Sequence, residues 1–123
     1  EPDHLSARID RGRTRMNLGQ LGPAMSDFQR AQDVSPDSAE PLTAMGDLYF
    51  GRKDYLRAVS CYDQALDRQP AHAMALCRRG VSHHSLGRPG LALEDLEQAQ
   101  ALDPQIPSIG RYVAMVRGTP GSR

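Results

Sequence analysis

The sequence predicts an all-α solenoid of about seven short helices, stacked as consecutive hairpins. Three observations predict it. Small residues recur 34 positions apart, as Gly12, Gly46 and Gly80, as Ala24, Ala58 and Ala92, and as Ala31, Ala65 and Ala99. Large apolar residues keep the same register, with Phe28, Tyr62 and Leu96 at one place and Met25, Val59 and Leu93 at another. Pro36, Pro70 and Pro104 close each unit, and every unit holds two helical patterns. A fixed period of this length with two helices per unit marks a stacked helical array, in which each unit contacts only its neighbours.

The elements follow in order. Residues 1–4 read as a lead-in. The first helix is expected from about Leu5 to Leu18, ended by the turn Gly19 to Gly22. The second spans about Pro23 to Val34, with Pro23 in its first turn, where a missing amide proton does little harm. The third lies between Ser38 and Gly51, with Asp37 or Ser38 as N-cap and Pro41 in its first turn. Asp54 caps a fourth helix that runs to about Arg68. The fifth starts at Ala71 or His72 and reaches Leu86, and the sixth starts at Pro89 and is closed by Pro104. Repeats of about 5–38, 39–72 and 73–106 result. A final helix over about 107–117 carries Ile106, Ile109, Val113 and Val116 on one face and stops at Gly118. It is expected to cap the single domain of residues 5–118, ahead of a flexible tail at 118–123. Because Val113 and Ala114 fall in register with Met45 and Gly46, the first half of a fourth repeat is the other reading.

Glycine inside a helix costs roughly 1 kcal/mol relative to alanine, so three glycines in register ask for a compensating close approach. Ala24, Ala58 and Ala92 are placed against them, with Phe28, Tyr62 and Leu96 as large knobs alongside. Arg8 and Arg15 stand where later units have Leu42, Tyr49 and Leu76. Burying unpaired guanidinium is costly, so that edge is expected to face water and to need no preceding repeat. Arg11 and Arg79 are equivalent, as are Asp27 and Asp95, and the middle unit replaces both partners together with Met45 and Cys61. This joint change predicts an ion pair across the outer hairpins and an apolar contact in the middle one.

Composition excludes several classes. The 123 residues carry 15 basic and 15 acidic side chains with no basic stripe, so a binder of nucleic-acid backbones is disfavoured. All the basic residues except Lys53 are arginine, which suits planar carboxylate recognition but also follows from coding bias. Apolar runs are too short for a membrane span. The chain begins at Glu1, as an excised or processed chain would, and no signal peptide is visible. Localisation stays open, with the cytoplasm as default. Cys61 and Cys77 do not make a disulfide framework.

Taken together, these residues resemble the tetratricopeptide repeat family, in three copies over about residues 5–106 plus a C-terminal helix. Leu18-Gly19, Leu86-Gly87, the Ala and aromatic places and the closing prolines carry the resemblance, most fully in the middle copy with Leu42, Gly46, Tyr49, Ala58, Tyr62, Ala65 and Pro70. Arg8, Arg15 and Leu96 depart from it. The resemblance implies a right-handed superhelix whose first helices line a concave groove that holds peptides or parts of proteins, without catalysis. Some members grip chaperone C-terminal carboxylates with Lys, Asn and Arg. Here the corresponding places hold Ile9, Arg13, Ala44, Met74 and Arg78, of which Arg78 alone fits directly, so a chaperone-tail adaptor is the lesser expectation.

Register draws the groove face as Ile9, Arg13 and Met16, then Glu40, Ala44, Asp47 and Phe50, then Met74, Cys77, Arg78, Val81 and His84. On it Phe50, Met74 and Val81 suit an apolar anchor, while Arg13 and Arg78 suit an acidic group. The plain alternative is a solvated face whose apolar members pack between repeats. Cys77 and His84 share a helical face beside His83, but zinc needs three or four ligands and a nucleophile needs an orienting group, so no metal, cofactor or catalytic residue is assigned. His83 reads as a packing residue, His4 and His72 as surface or turn residues, and Glu94, Asp95 and Glu97 as an acidic, solvated run. The expected function is a non-catalytic module binding a protein or peptide segment. The alternative is an assembly scaffold that self-associates through its flanks or convex face.

Overall fold

A computed structural model describes residues 4–119, and in it the chain folds into seven α-helices: α1 (Leu5–Asn17), α2 (Leu21–Val34), α3 (Glu40–Gly51), α4 (Tyr55–Arg68), α5 (Ala73–Ser85), α6 (Pro89–Leu102) and α7 (Ile109–Arg117). Helices α1/α2, α3/α4 and α5/α6 form three antiparallel hairpins, and α7 packs on α6 and α5. Residues 1–3 and 120–123, which include most of the expected lead-in and tail, lie outside the described residues.

One three-residue turn builds each hairpin. Leu18-Gly19-Gln20, Arg52-Lys53-Asp54 and Leu86-Gly87-Arg88 are in register, and their middle residues take positive φ of 81°, 61° and 76°. In each turn the amide of the third residue donates to the carbonyl five residues back, from Gln20 to Arg15 at 2.8 Å, from Asp54 to Tyr49 at 2.9 Å and from Arg88 to His83 at 2.9 Å. This is the Schellman closure, which satisfies the orphan carbonyls at a helix end. The third residue then serves as N-cap of the next helix. The turn is therefore shorter than the Gly19 to Gly22 loop the sequence suggests, and Gly22 already lies inside α2.

His4 and His72, at turns as expected, cap the first and fifth helices: each accepts the first-turn amide three positions on, Ala7 at 3.5 Å and Ala75 at 3.2 Å, through Nδ1. Ser38, in register with both, accepts from Glu40 at 3.3 Å, while Ala39 occupies the N-cap position itself. At the other end, Thr119 is tied to α7 by its amide to the Val116 carbonyl at 2.9 Å and its hydroxyl to Met115 at 3.1 Å. Ile106 precedes α7 rather than belonging to it, yet is buried with Ile109, Val113 and Val116.

The recurring glycines sit beneath the large knobs, not chiefly opposite the alanines. A methyl group on Gly12 would collide with the Phe28 ring, and one on Gly46 would lie 2.6 Å from Tyr62 Cε1. On Gly80 it would lie 2.8 Å from Leu96 Cγ and 3.1 Å from the Ala92 carbonyl oxygen. Phe28, Tyr62 and Leu96 are fully buried, as are Ala24, Ala58 and Ala92. Glycine in the first helix thus lets the knob of the second lie flat against its backbone, and alanine keeps the helices close enough for it to reach.

Hairpin stacking has an inner and an outer row. The backbones of α1, α3, α5 and α7 approach one another in succession within 8 Å, whereas α2, α4 and α6 do not approach each other so closely. Outer helices splayed relative to inner ones curve the stack, with α1, α3, α5 and α7 on the concave side.

The predicted pairs cross the hairpins. Arg11 holds Asp27 with two bonds, Nη2 to Oδ1 at 2.6 Å and Nε to Oδ2 at 3.2 Å. Arg79 holds Asp95 likewise, at 2.8 Å for each. In the middle unit Met45 is buried in the core against which Cys61 packs. The first edge differs from expectation, because Arg8 and Arg15 are half-buried. Arg15 adds a third bond to Asp27 at 3.0 Å, so the guanidinium is paired rather than left to water. Burial alone would push the Asp27 carboxyl up, but the Arg11 bond and charge, with Arg15 and Arg8, hold it below its ordinary value. Asp95 is buried and paired, unlike the solvated run expected of Glu94, Asp95 and Glu97.

Gly46→Ala should destabilise the fold by about 1–3 kcal/mol despite the better helix propensity of alanine, because the Tyr62 ring must move. Gly22→Ala, where a methyl meets nothing within 4 Å, should leave stability unchanged or raise it by up to about 1 kcal/mol. Urea denaturation of both variants checks this, and equal effects would remove the close approach as the reason for the glycine.

Candidate peptide-binding groove

Two hollows share the concave row. The first, of about 290 Å³, is lined mainly by polar residues and lies where α1, α3 and α5 meet, with Arg13, Asp47, Arg78, Glu40 and His72 in its wall. The second, of about 210 Å³, is mainly apolar and lies between α3, α5 and the approach to α7, lined by Phe50, Met74, Cys77, Val81, Ile106 and Tyr112. Met74 and Arg78 border both.

Asp47 organises the polar hollow. Its Oδ2 accepts from Arg13 Nη1 at 3.1 Å and its Oδ1 from Arg78 Nη1 at 2.9 Å, so one carboxylate ties three successive inner helices together. The Tyr62 hydroxyl, at the tip of the fully buried knob, donates to the same Oδ1 at 2.7 Å. Burial, then the Asp47 charge, push the Tyr62 phenol far above its ordinary value, so it stays a donor. Asp47 retains 10% side-chain exposure, against 37% for Arg13 and 33% for Arg78, so the carboxylate is the inner member and the guanidinia the outer ones.

The residues predicted for the groove fall into three groups. Arg13, Asp47, Phe50, Met74, Arg78 and Val81 line the two hollows. Ile9 does not: at 2% exposure it lies in the core with Phe28, because its side chain turns into the first hairpin. Ala44 is likewise fully buried. His84 contacts the end of α7, with Nε2 3.3 Å from Thr119 Oγ1, which places it under that helix. Sequence reasoning missed Tyr112, Thr43 and the Tyr62 hydroxyl. The signal for the last was present, since Asp47 faces the one knob that carries a hydroxyl, while Arg13 and Val81 accompany Phe28 and Leu96.

Burial raises the Cys77 thiol above its ordinary value and lifts Cys61 to about 11, so neither is poised as a thiolate. Among the described residues, no group of three or more His, Cys, Asp or Glu is placed to hold a metal ion, and no helix is long and apolar enough to cross a membrane.

With the hairpins and the concave row in view, comparison with known proteins is decisive. The family model described as Tetratricopeptide repeat matches residues 43–107, more than half of the 123-residue chain. The chain belongs to the tetratricopeptide repeat family. It is accordingly a non-catalytic protein-interaction module with the superhelical fold of that family. Anaphase-promoting complex subunit 3 of Schizosaccharomyces pombe is 29% identical over 101 residues, 82% of this chain and 15% of that protein. The heat-shock protein cognate co-chaperone sgt12 of Aspergillus fumigatus is 34% identical over 76 residues, 62% of this chain and 22% of that protein. The chain thus spans less than a quarter of the length of these curated relatives. In fold it is similar to the first tetratricopeptide domain of Spaghetti (RPAP3) bound to the HSP90 peptide SRMEEVD, with a TM-score of 0.86 at 19% identity over 92% of this chain and 90% of that one. It is also similar to MamA, with a TM-score of 0.85 at 20% identity over 100% of this chain and 72% of that one.

Half-buried His72 and buried His83 should make the hairpins sensitive to acid. Burial holds His72 and His83 below their ordinary value of 6.5, so the unfolded chain binds protons more readily than the folded one once pH falls through 6.5. Stability should therefore drop between pH 7 and 5, before the Asp27 carboxylate titrates. His72→Asn keeps a side-chain cap without titrating and should flatten part of that drop in thermal melts. An identical fall in the variant would assign the acid sensitivity elsewhere.

Proposed function

We propose that the concave face of α1, α3, α5 and α7 holds a segment of another protein, anchored by an apolar side chain in the hollow between Phe50, Met74, Val81 and Tyr112. The observation that carries the reading is this hollow itself, mainly apolar, open on the inner row, and bordered by half-exposed Arg78. At about 210 Å³ it is smaller than the roughly 300–1,000 Å³ of ordinary small-molecule sites, and suits one side chain of a longer ligand. A buried apolar anchor with polar groups at its rim is the usual source of affinity in such interfaces.

A chaperone tail is the second reading, favoured because two structures with this fold carry HSP90 and HSP70 peptides, SRMEEVD and SGPTIEEVD. Against it, three of the five places that would grip a terminal carboxylate are Ile9, Ala44 and Met74, and none carries a side-chain donor.

A random-peptide display library panned on the chain tests the first reading. Enriched sequences should share one large apolar residue, and their affinity should fall at least tenfold on Phe50→Ala, Val81→Ser but not on Leu56→Ala, an exposed position of α4. Selected peptides that bind the double variant unchanged would take the groove out of the function.

A further inference from the structure

The polar half of the groove already contains a carboxylate of its own. Asp47 engages Nη1 of both Arg13 and Arg78, and the buried Tyr62 hydroxyl fixes it from below. Counting Glu40, which lines the same hollow, two guanidinium charges face two carboxylates, so the hollow carries no net positive charge. An incoming ligand carboxylate would have to approach Asp47 at short range or displace it, and like charges sharing a site disfavour the ionised pair. Displacement is opposed by three bonds to a side chain that is only 10% exposed. What remains at the rim is the outer part of each guanidinium, with N–H donors but no uncompensated charge, a match for neutral acceptors.

We propose that Asp47 is a specificity-determining residue that occupies the place of a ligand carboxylate, so that the groove selects segments through an apolar side chain and backbone carbonyls and discriminates against acidic tails. This rests on the reading of the concave face as the binding face. It accounts for why two arginines from different repeats converge in a groove without making it electropositive. The register is instructive: the place of Asp47 is Arg13 in the first repeat and Val81 in the third, and only the middle repeat supplies a hydroxyl-bearing knob to hold a carboxylate there.

The test uses the acidic peptide SRMEEVD and its C-terminally amidated analogue SRMQQVN, which carries no carboxylate, titrated into the chain by fluorescence anisotropy at two salt concentrations. The wild type should prefer the acidic peptide by no more than about twofold, or bind neither, with little dependence on salt. Asp47→Asn keeps an acceptor for Tyr62 but frees both arginines, and should gain at least tenfold for the acidic peptide, with a steep salt dependence that Arg78→Gln in the same background abolishes. A merely structural role for Asp47 would lower thermal stability without that gain, and no gain in a folded variant overturns the proposal. Should Asp47→Asn not fold, the wild type decides alone, because a tenfold, salt-sensitive preference for the acidic peptide would overturn it equally. A display-selected apolar peptide carried through the same titrations reports on the groove separately: its loss on Phe50→Ala, Val81→Ser keeps the binding face even where the Asp47 proposal fails.

Discussion

Everything in this fold depends on how closely two helices of a hairpin can lie. Gly12, Gly46 and Gly80 remove a side chain at the point where Phe28, Tyr62 and Leu96 press on the first helix, and the buried alanines of the second helix hold the spacing. The helix-propensity cost of each glycine is offset by burying a large apolar side chain flat against backbone, a burial worth roughly 1.5–3 kcal/mol. Because the same approach recurs at the same place, the three hairpins stack in one register. A curved inner row follows from that repetition.

The repeats are alike in core and unlike in polar detail. Across the hairpin, Arg11–Asp27 and Arg79–Asp95 give way in the middle unit to Met45 in the core and Cys61 packed against that core. On the groove face the middle unit is again the exception, with Asp47 gathering Arg13 and Arg78 from its neighbours. Breaking the repeat at one position thus creates an inter-repeat contact that a perfectly regular array could not have. The same contact fixes α1, α3 and α5 relative to one another and sets the charge of the groove.

Much of this was legible in the sequence, for a physical reason. Period, knob, glycine and closing proline are dictated by backbone packing, which tolerates few residue types, so they repeat and can be read. The two hairpin ion pairs were readable because both partners change together at Met45 and Cys61. Three features were not legible. Ile9 belongs to the core because register alone does not say which way a boundary residue turns. His4 and His72 cap helices through Nδ1, a role that histidine seldom advertises. Asp47 joins Arg13 and Arg78 across hairpins, and contacts between units leave no trace in a comparison that aligns each unit with itself.

Division of labour between the rows is the central claim: outer helices supply knobs, inner helices supply the recognition face. Amide chemical-shift mapping by NMR, with a display-selected peptide added stepwise to labelled protein, tests it most directly. Perturbations confined to the inner row, centred on Phe50, Met74, Val81 and Tyr112, are the predicted result. Perturbations centred on exposed positions of α2, α4 and α6 instead, with the inner row silent, would contradict the account.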